Sequence, residues 1–105
     1  MQNSSEPVVV YVTYVGTPQS RFDRHYYVTG HLPLVMQAWQ QYGLLSVSAF
    51  FPAVDQAGTV AICECLFRDD AGLAAAFASV ETADVMADIA HFTDLAPLRA
   101  RTVAL

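Results

Sequence analysis

The residues best suited to chemistry lie in one run, Phe22 to Val35, which places a histidine at a predicted break in a helix. Successive residues of an α-helix are about 100° apart, so His31 shares a stripe with apolar and aromatic side chains and should point towards a packed interior. Pro33 lacks an amide hydrogen and clashes with the preceding turn, and Gly30 loosens the same place, so the helix is predicted to kink or restart there. The stripe consists of Tyr27, His31, Leu34, Val35, Ala38 and Tyr42. His31 is therefore either a packing residue with a hydrogen-bond partner or the functional residue of a binding or catalytic site.

The expected surroundings of His31 favour its neutral form. A helix that restarts beside it places the positive end of a helix dipole nearby, and apolar neighbours disfavour charge. Neutral imidazole can accept a proton, which makes His31 the candidate general base or acid. Glu64, on a predicted strand, is the second catalytic candidate. It could orient His31 or shuttle its proton, or it could be a rim carboxylate paired with Arg99 or Arg101.

A ligand cavity is predicted between the His31 helix and the sheet, reached near the helix break. Interrupted backbone packing at the break prevents side chains from closing the space. Tyrosines in its walls could bind a phenol or ketone, although tyrosines also serve as packing residues in cores. The predicted ligand-binding residues are Tyr11, Thr13, Tyr27, Leu34, Val35, Ile62 and Phe92. Such walls suit a small, hydrophobic, uncharged molecule rather than a phosphate or a sugar acid.

The sequence contains no pattern typical of a metal site or a cofactor site. A histidine-bound metal needs further converging ligands, which no spacing in this chain supplies. Cys63 and Cys65 share one face of a predicted strand, are badly placed to bridge each other, and lack a second cysteine pair or a histidine cluster. The chain has no lysine, which excludes Schiff-base chemistry and a Walker-type phosphate loop. We therefore expect no cofactor and no metal, with the thiols acting as small apolar groups.

The predicted elements follow the order β-α-β-β-α-β. Predicted strands cover Val8–Val15, Leu45–Phe51, Thr59–Phe67 and Leu98–Leu105. Predicted helices cover Phe22–Tyr42, with Gly43 as C-cap, then Asp69–Phe77, and a short piece from Thr82 or Asp84 to Ala90. This order indicates an α+β, ferredoxin-like fold with a four-stranded antiparallel sheet. Residues 1–6 are expected to form a flexible tail and 7–105 a single domain.

Composition predicts that the domain associates with a second copy of itself. The 105 residues are 54% hydrophobic and only 14% charged, whereas typical soluble domains are about 25% charged. A small domain has proportionally more surface to cover. The first and third predicted strands are also largely apolar on both faces. We therefore expect a homodimer in which two sheets pack face to face as a dimeric α+β barrel.

Charge and hydropathy argue against several other classes of partner. The net charge is −5 and the five arginines are scattered, so nucleic-acid binding is not expected. No stretch approaches the roughly 20 apolar residues of a membrane span, and the first six residues lack the basic region of a signal peptide. Together with two free thiols, these features predict a cytoplasmic protein.

Several segments resemble the EthD family, named for a small protein associated with ethyl tert-butyl ether degradation. They are the run Phe22–Val35, Gly43-Leu44, Phe67 with Phe77, and Phe92-Thr93-Asp94. The resemblance extends from Val8 to Leu105, and its most specific part is a Tyr-Tyr-x-x-x-His-x-Pro-Leu core in which His31 occupies the histidine position. One departure is Glu64, where many relatives carry a histidine or a neutral polar residue.

The resemblance implies a fold more firmly than a reaction. The EthD family belongs to the dimeric α+β barrel superfamily, whose members include cofactor-free monooxygenases, polyketide cyclases, lactone isomerases and haem-handling enzymes. The resemblance also implies that this small protein binds a hydrophobic molecule at His31. Such a protein could be a cofactor-independent enzyme of catabolism or secondary metabolism that acts by proton transfer, oxygenation or cyclisation. The alternative is a non-catalytic accessory that binds such a compound and assists an oxygenase system. A shared fold does not decide between them.

Overall fold

The computed structural model describes residues 6–105, and most of the predicted flexible tail (residues 1–5) lies outside the described residues. The strands are β1 (Val8–Gly16), β2 (Leu44–Phe50), β3 (Gly58–Phe67) and β4 (Leu98–Thr102). The helices are α1 (Arg24–Tyr26), α2 (Leu32–Trp39), α3 (Asp70–Ala78) and α4 (Glu81–Asp88), with a π-turn at Tyr27–His31 and short 3-10 turns at Gln40–Tyr42 and Ile89–His91. The four strands form one antiparallel sheet in the order β2-β3-β1-β4. The predicted ferredoxin-like α+β fold is confirmed.

The sheet has two chemically different faces. Because side chains alternate along a strand, the face that the helices cover, called here the inner face, carries every second residue of β1 and β3. Its members are Val8, Val10, Val12, Tyr14, Ala61, Cys63, Cys65 and Phe67, nearly all of them buried in the core. The opposite, outer face carries Val9, Tyr11, Thr13, Ile62, Glu64 and Leu66, which are only half-buried. The core therefore lies between the inner face and the helices.

The predicted first helix begins later and changes geometry rather than breaking. The Asp23 carboxylate accepts a hydrogen bond from the Tyr26 amide at 2.9 Å, which caps the helix at Arg24 instead of Phe22. The Leu32 amide then donates to the Tyr27 carbonyl, five residues back, and this widened turn leads into Pro33 in the first turn of α2. Helical structure thus passes through Pro33 because the proline stands where an amide hydrogen is least needed.

The remaining boundaries follow the sequence closely. Gly43 adopts a left-handed φ of 106° after the turn at Gln40–Tyr42, as its predicted role as a helix C-cap requires. The last strand ends at Thr102 rather than at Leu105. None of the helices among residues 6–105 is both long enough and apolar enough to cross a membrane.

Candidate functional site

The π-turn places His31 at the start of α2 with its ring inside the protein. Such a turn inserts one extra residue into a helix and is frequent at functional sites. Gly30 allows the Tyr26 ring to lie against the turn, because a Cβ at position 30 would stand 3.1 Å from two of its ring atoms. The His31 ring stacks on Tyr27, with centroids 5.6 Å apart, and contacts Phe92 at 4.7 Å. The imidazole is thereby held in one orientation by aromatic rings.

Asp88, the last residue of α4, is the polar partner of His31. The His31 Nδ1 lies 2.9 Å from the Asp88 Oδ2, and the two residues are only 4% and 9% exposed. The second carboxylate oxygen, Oδ1, accepts the Tyr26 hydroxyl at 2.7 Å and the His91 Nδ1 at 2.9 Å. His91 itself is exposed. One carboxylate therefore joins a buried histidine to a tyrosine and a surface histidine.

The protonation states in this cluster follow from burial and hydrogen bonding. Burial lowers the pKa of His31 from its ordinary value of 6.5, and this outweighs the opposite effect of Asp88. Burial raises the pKa of Asp88, but hydrogen bonds from Tyr26, His31 and His91 outweigh it and bring the pKa below the ordinary value. At neutral pH the carboxylate is therefore ionised and can only accept hydrogen bonds. The His31 Nδ1 must then carry the hydrogen, which leaves Nε2 with a lone pair.

A cavity of about 40 Å³ touches His31 between the helices and the inner face. At roughly 10–15 Å³ per water, it has room for about three water molecules in this conformation. Its walls are mainly apolar side chains of α2, α4, β1 and β3. Met86 and Arg99 are the lining residues whose side chains also reach the surface. A molecule larger than this fits only if lining side chains move, and Met86 and Arg99 are the exposed ones among them.

The structure brings only some of the predicted site residues to this cavity. Tyr27, His31 and Val35 line it. Phe92 packs on the His31 ring without lining the cavity, and Leu34 is half-buried on α2 away from it. The other four residues lie on the outer face of the sheet, because the helices cover the opposite set of alternating side chains. These four are Tyr11, Thr13, Ile62 and Glu64.

The expected relation between Glu64 and His31 is not found. The Glu64 carboxylate accepts the Tyr11 hydroxyl at 2.6 Å across the outer face, with the sheet between it and His31. It is not the rim carboxylate of Arg99 or Arg101 either, since Arg101 pairs with Asp70 at 2.8 Å and Arg99 lies over the Phe77 ring. The carboxylate that orients His31 is Asp88, which sequence reasoning missed.

The two cysteines lie on the inner face beside the cavity. Cys63 and Cys65 are buried free thiols whose sulfur atoms are 3.8 Å apart. Across residues 6–105, no three or more histidine, cysteine, aspartate or glutamate side chains converge in a way that could hold a metal ion. His31, backed by the Asp88 carboxylate, is thus the acid–base group of the cavity.

Comparison with solved structures places this geometry in a known fold. An EthD-like protein from Ralstonia eutropha JMP134 superposes with a TM-score of 0.81 at 24% identity, covering 93% of this chain and 91% of that chain. The chain has the fold of EthD-like proteins. An EthD family protein from Bacillus halodurans C-125 matches with a TM-score of 0.66 at 17% identity, over 91% of this chain and 99% of the other. The resemblance to EthD-family proteins is thereby confirmed at the level of the fold.

The same fold extends to more distant proteins with a described activity. A variant of SnoaB, a cofactor-independent oxygenase from Streptomyces nogalater, has a TM-score of 0.64 at 11% identity and covers 95% of this chain and 93% of its own. No protein-family model and no curated protein matches the chain in sequence. These comparisons establish the EthD-like, α+β barrel type of fold and leave the reaction to be argued from the site.

Proposed function

We propose that this protein binds a small hydrophobic molecule in the cavity at His31 and acts as a cofactor-independent enzyme in which His31 is the general base. One observation carries the proposal. The imidazole lines an apolar cavity while its Nδ1 is hydrogen-bonded to the nearly buried Asp88 carboxylate at 2.9 Å. A histidine whose second nitrogen is held by a carboxylate is the arrangement that general-base catalysis uses.

The chemistry that this pair can perform is the removal of a proton from a weak acid. The Nε2 lone pair takes a proton from a carbon next to a carbonyl group or from a phenol hydroxyl, and His31 becomes an imidazolium ion. The Asp88 carboxylate stabilises that ion through the existing hydrogen bond, without itself taking the proton. The resulting enolate or phenolate is the reactive species in proton transfer, in cyclisation and in cofactor-free oxygenation alike.

The comparisons support this class of function without naming the substrate. SnoaB is a cofactor-independent oxygenase, which supports the proposal that a protein of this fold can act without a cofactor. The family name of the Bacillus halodurans protein refers to ethyl tert-butyl ether, and ethers of this kind are therefore further candidates for the substrate. The reaction type stays part of the proposal.

Hydrogen–deuterium exchange tests the proton-transfer step directly. Benzylacetone, a hydrophobic ketone, is incubated with the protein in D2O, and loss of its α-proton signals is followed by NMR. We expect exchange faster than in buffer alone for the wild type and for His25→Gln, which alters an exposed histidine. We expect no acceleration with His31→Gln, provided that its circular dichroism spectrum remains that of the wild type.

The alternative function is that of a non-catalytic accessory protein using the same cavity. The burial of His31 favours it, because a histidine satisfied by Asp88 also stabilises a core without acting as a base. Binding of benzylacetone, seen as a shift of the Trp39 fluorescence, together with no accelerated exchange would support the accessory function and contradict the enzyme. Exchange that His31→Gln leaves unchanged would show that His31 is not the base.

We also propose that the protein is a homodimer whose outer sheet faces pack together. Phe50 and Leu98, on the flanking strands of that face, are 52% and 56% exposed. Apolar exposure on a sheet face is costly unless a partner covers it. Ile62→Arg, at the middle of the face, should convert a dimer into a monomer in sedimentation equilibrium, whereas Ala74→Arg on the exposed side of α3 should not. A wild-type monomer at micromolar concentration would contradict the proposal.

A cytoplasmic location and the absence of nucleic-acid binding stay predictions from composition.

A further inference from the structure

Among residues 6–105, Arg99 is the one cationic side chain that lines the His31 cavity. It lies on β4 opposite Val12, an inner-face residue, so its side chain rises from the sheet on the same side as the cavity. The guanidinium carbon stands 4.6 Å above the centre of the Phe77 ring. Stacking on an aromatic face leaves the edge of a guanidinium, with its N–H donors, free to bind a planar anion.

Three of the other four arginines are paired with a carboxylate, and the fourth, Arg24, is stacked on Phe51 away from the cavity. Arg21, Arg68 and Arg101 each form an ion pair, with Asp94, Asp69 and Asp70 respectively. Arg101 is two residues further along the same strand and faces the same side, yet its charge is satisfied by α3. In the part of the chain that the structure describes, the Arg99 guanidinium contacts a ring and pairs with no carboxylate. Its charge therefore remains available at the cavity.

The two ends of the cavity differ in the charge of the ligand group that they favour. The ionised Asp88 carboxylate lies behind His31 and repels an anionic group from that end. Arg99 attracts such a group at the exposed end. Cys63, Val12 and Arg99 form one row across β3, β1 and β4, and neighbouring strands are about 4.8 Å apart. The row from Cys63 to Arg99 therefore runs about 10 Å across the sheet side of the cavity.

We infer that Arg99 is the anion anchor of this cavity and that its ligands are hydrophobic monocarboxylates, with the carboxylate on Arg99 and the apolar body directed towards His31. The inference rests on the proposed function of the cavity and narrows its ligand class. It departs from the uncharged ligand that the sequence predicts, because a carboxylate forms an ion pair with the guanidinium and an uncharged molecule does not. Arg99 is a specificity-determining residue in this arrangement, and His31 remains the reacting group.

A matched pair of ligands tests the anchor. Hydrocinnamate and hydrocinnamyl alcohol share one ring and one chain and differ in the carboxylate. Trp39, the single tryptophan, lines the cavity and reports binding of either compound through its fluorescence. For the wild type we expect the acid to bind about tenfold more tightly than the alcohol, since a charge-assisted bidentate hydrogen bond stabilises only the acid.

Two variants separate the anchor from the rest of the cavity. Arg99→Gln should reduce the affinity for the acid to that for the alcohol and leave alcohol binding unchanged. The control Arg24→Gln removes another arginine that is stacked on a ring, above Phe51 at 4.8 Å and away from the cavity, and it should keep the preference for the acid. Thermal unfolding of each variant confirms that it is folded.

The outcomes distinguish the anchor from the cavity itself. An acid preference that Arg99→Gln leaves intact, or equal wild-type affinities for acid and alcohol, would overturn the role of Arg99 while keeping the cavity as a binding site. Binding of neither compound would overturn this inference and the proposed ligand binding together. A preference lost in Arg99→Gln and retained in Arg24→Gln supports the anchor.

Discussion

Two tyrosine–carboxylate pairs lie on opposite sides of the central sheet and have almost the same geometry. The Tyr26 hydroxyl donates to Asp88 at 2.7 Å, and the Tyr11 hydroxyl donates to Glu64 at 2.6 Å. Their surroundings differ. Asp88 is nearly enclosed and also accepts from two histidines, whereas Glu64 stands on the half-buried outer face with one tyrosine. The comparison shows that burial and neighbouring histidines, rather than the tyrosine–carboxylate hydrogen bond, make Asp88 part of the candidate site.

The hydrogen bonds alter the acid strengths of both tyrosines in the same direction. Hydrogen bonding to Glu64 raises the pKa of Tyr11, and hydrogen bonding to Asp88 raises the pKa of Tyr26. Both hydroxyls are therefore protonated donors at neutral pH. The histidine beside Asp88 is what makes the inner pair chemically different, because it supplies a base that the outer pair lacks.

The largest expected difference between the two pairs is in stability. Asp88→Ala leaves the buried Nδ1 of His31 without a partner, which costs about 2 kcal/mol and should lower Tm by about 10 °C in a domain of this size. Glu64→Ala breaks one hydrogen bond, to Tyr11, against the three around Asp88, so its effect should be clearly smaller. Differential scanning calorimetry of both variants at equal concentration measures the two losses of Tm. Equal losses of Tm would show that Asp88 is no more integrated into the core than Glu64.

A second difference should appear in the dependence of stability on pH. Burial lowers the pKa of His31 below 6.5 in the folded state, so the unfolded chain binds a proton more readily. The free energy of unfolding should therefore be highest above about pH 6.5 and fall as the pH drops through the interval down to the folded pKa. Asp88, whose folded pKa is also lowered, adds a further loss below its ordinary value of 3.8.

Urea unfolding between pH 8 and pH 5 measures this effect. His31→Gln should flatten the pH dependence over that interval, whereas the exposed-histidine control His25→Gln should retain it. A wild-type free energy of unfolding that rises on acidification from pH 8 to pH 5 would mean that His31 gains a proton on folding, contrary to the effect of burial.

The smallest expected effect is a change in the pKa of the Asp88 carboxyl group. Tyr26→Phe removes one of the hydrogen bonds that lower the pKa of Asp88, so the pKa of Asp88 should rise. The matched change Tyr11→Phe acts on the far side of the sheet and should leave the Asp88 pKa unchanged. Titration of the Asp88 carboxyl carbon by NMR measures both. An unchanged Asp88 pKa in Tyr26→Phe would indicate that the two histidines alone set it.

Local sequence signals predicted most of the elements because their causes are local. The β-branched run at Val8–Val15 strongly favours a strand, and Gly43 adopts the left-handed conformation that ends a helix. The stripe containing Tyr27, His31 and Val35 correctly predicted that the imidazole is buried. The π-turn was not predicted, since a proline in a helical pattern ordinarily indicates a kink or a break.

The composition of the site depended on contacts that no local pattern encodes. Asp88 lies 57 residues from His31 in sequence, and nothing in its own helix distinguishes it from the exposed Asp84 one turn earlier. The alternation along β3 shows that Glu64 and Cys63 lie on opposite faces. It does not show which face the helices cover, because both faces are largely apolar.

By itself, the sequence determined the order of the elements, the two-sided apolar strands and the inward direction of His31, because these follow from backbone propensity and periodicity over neighbouring residues. The tertiary structure decided which sheet face forms the cavity, that Asp88 rather than Glu64 holds the imidazole, and that Arg99 stands at the exposed end. Those outcomes depend on how the helices pack across the sheet, and that packing is a property of the whole chain.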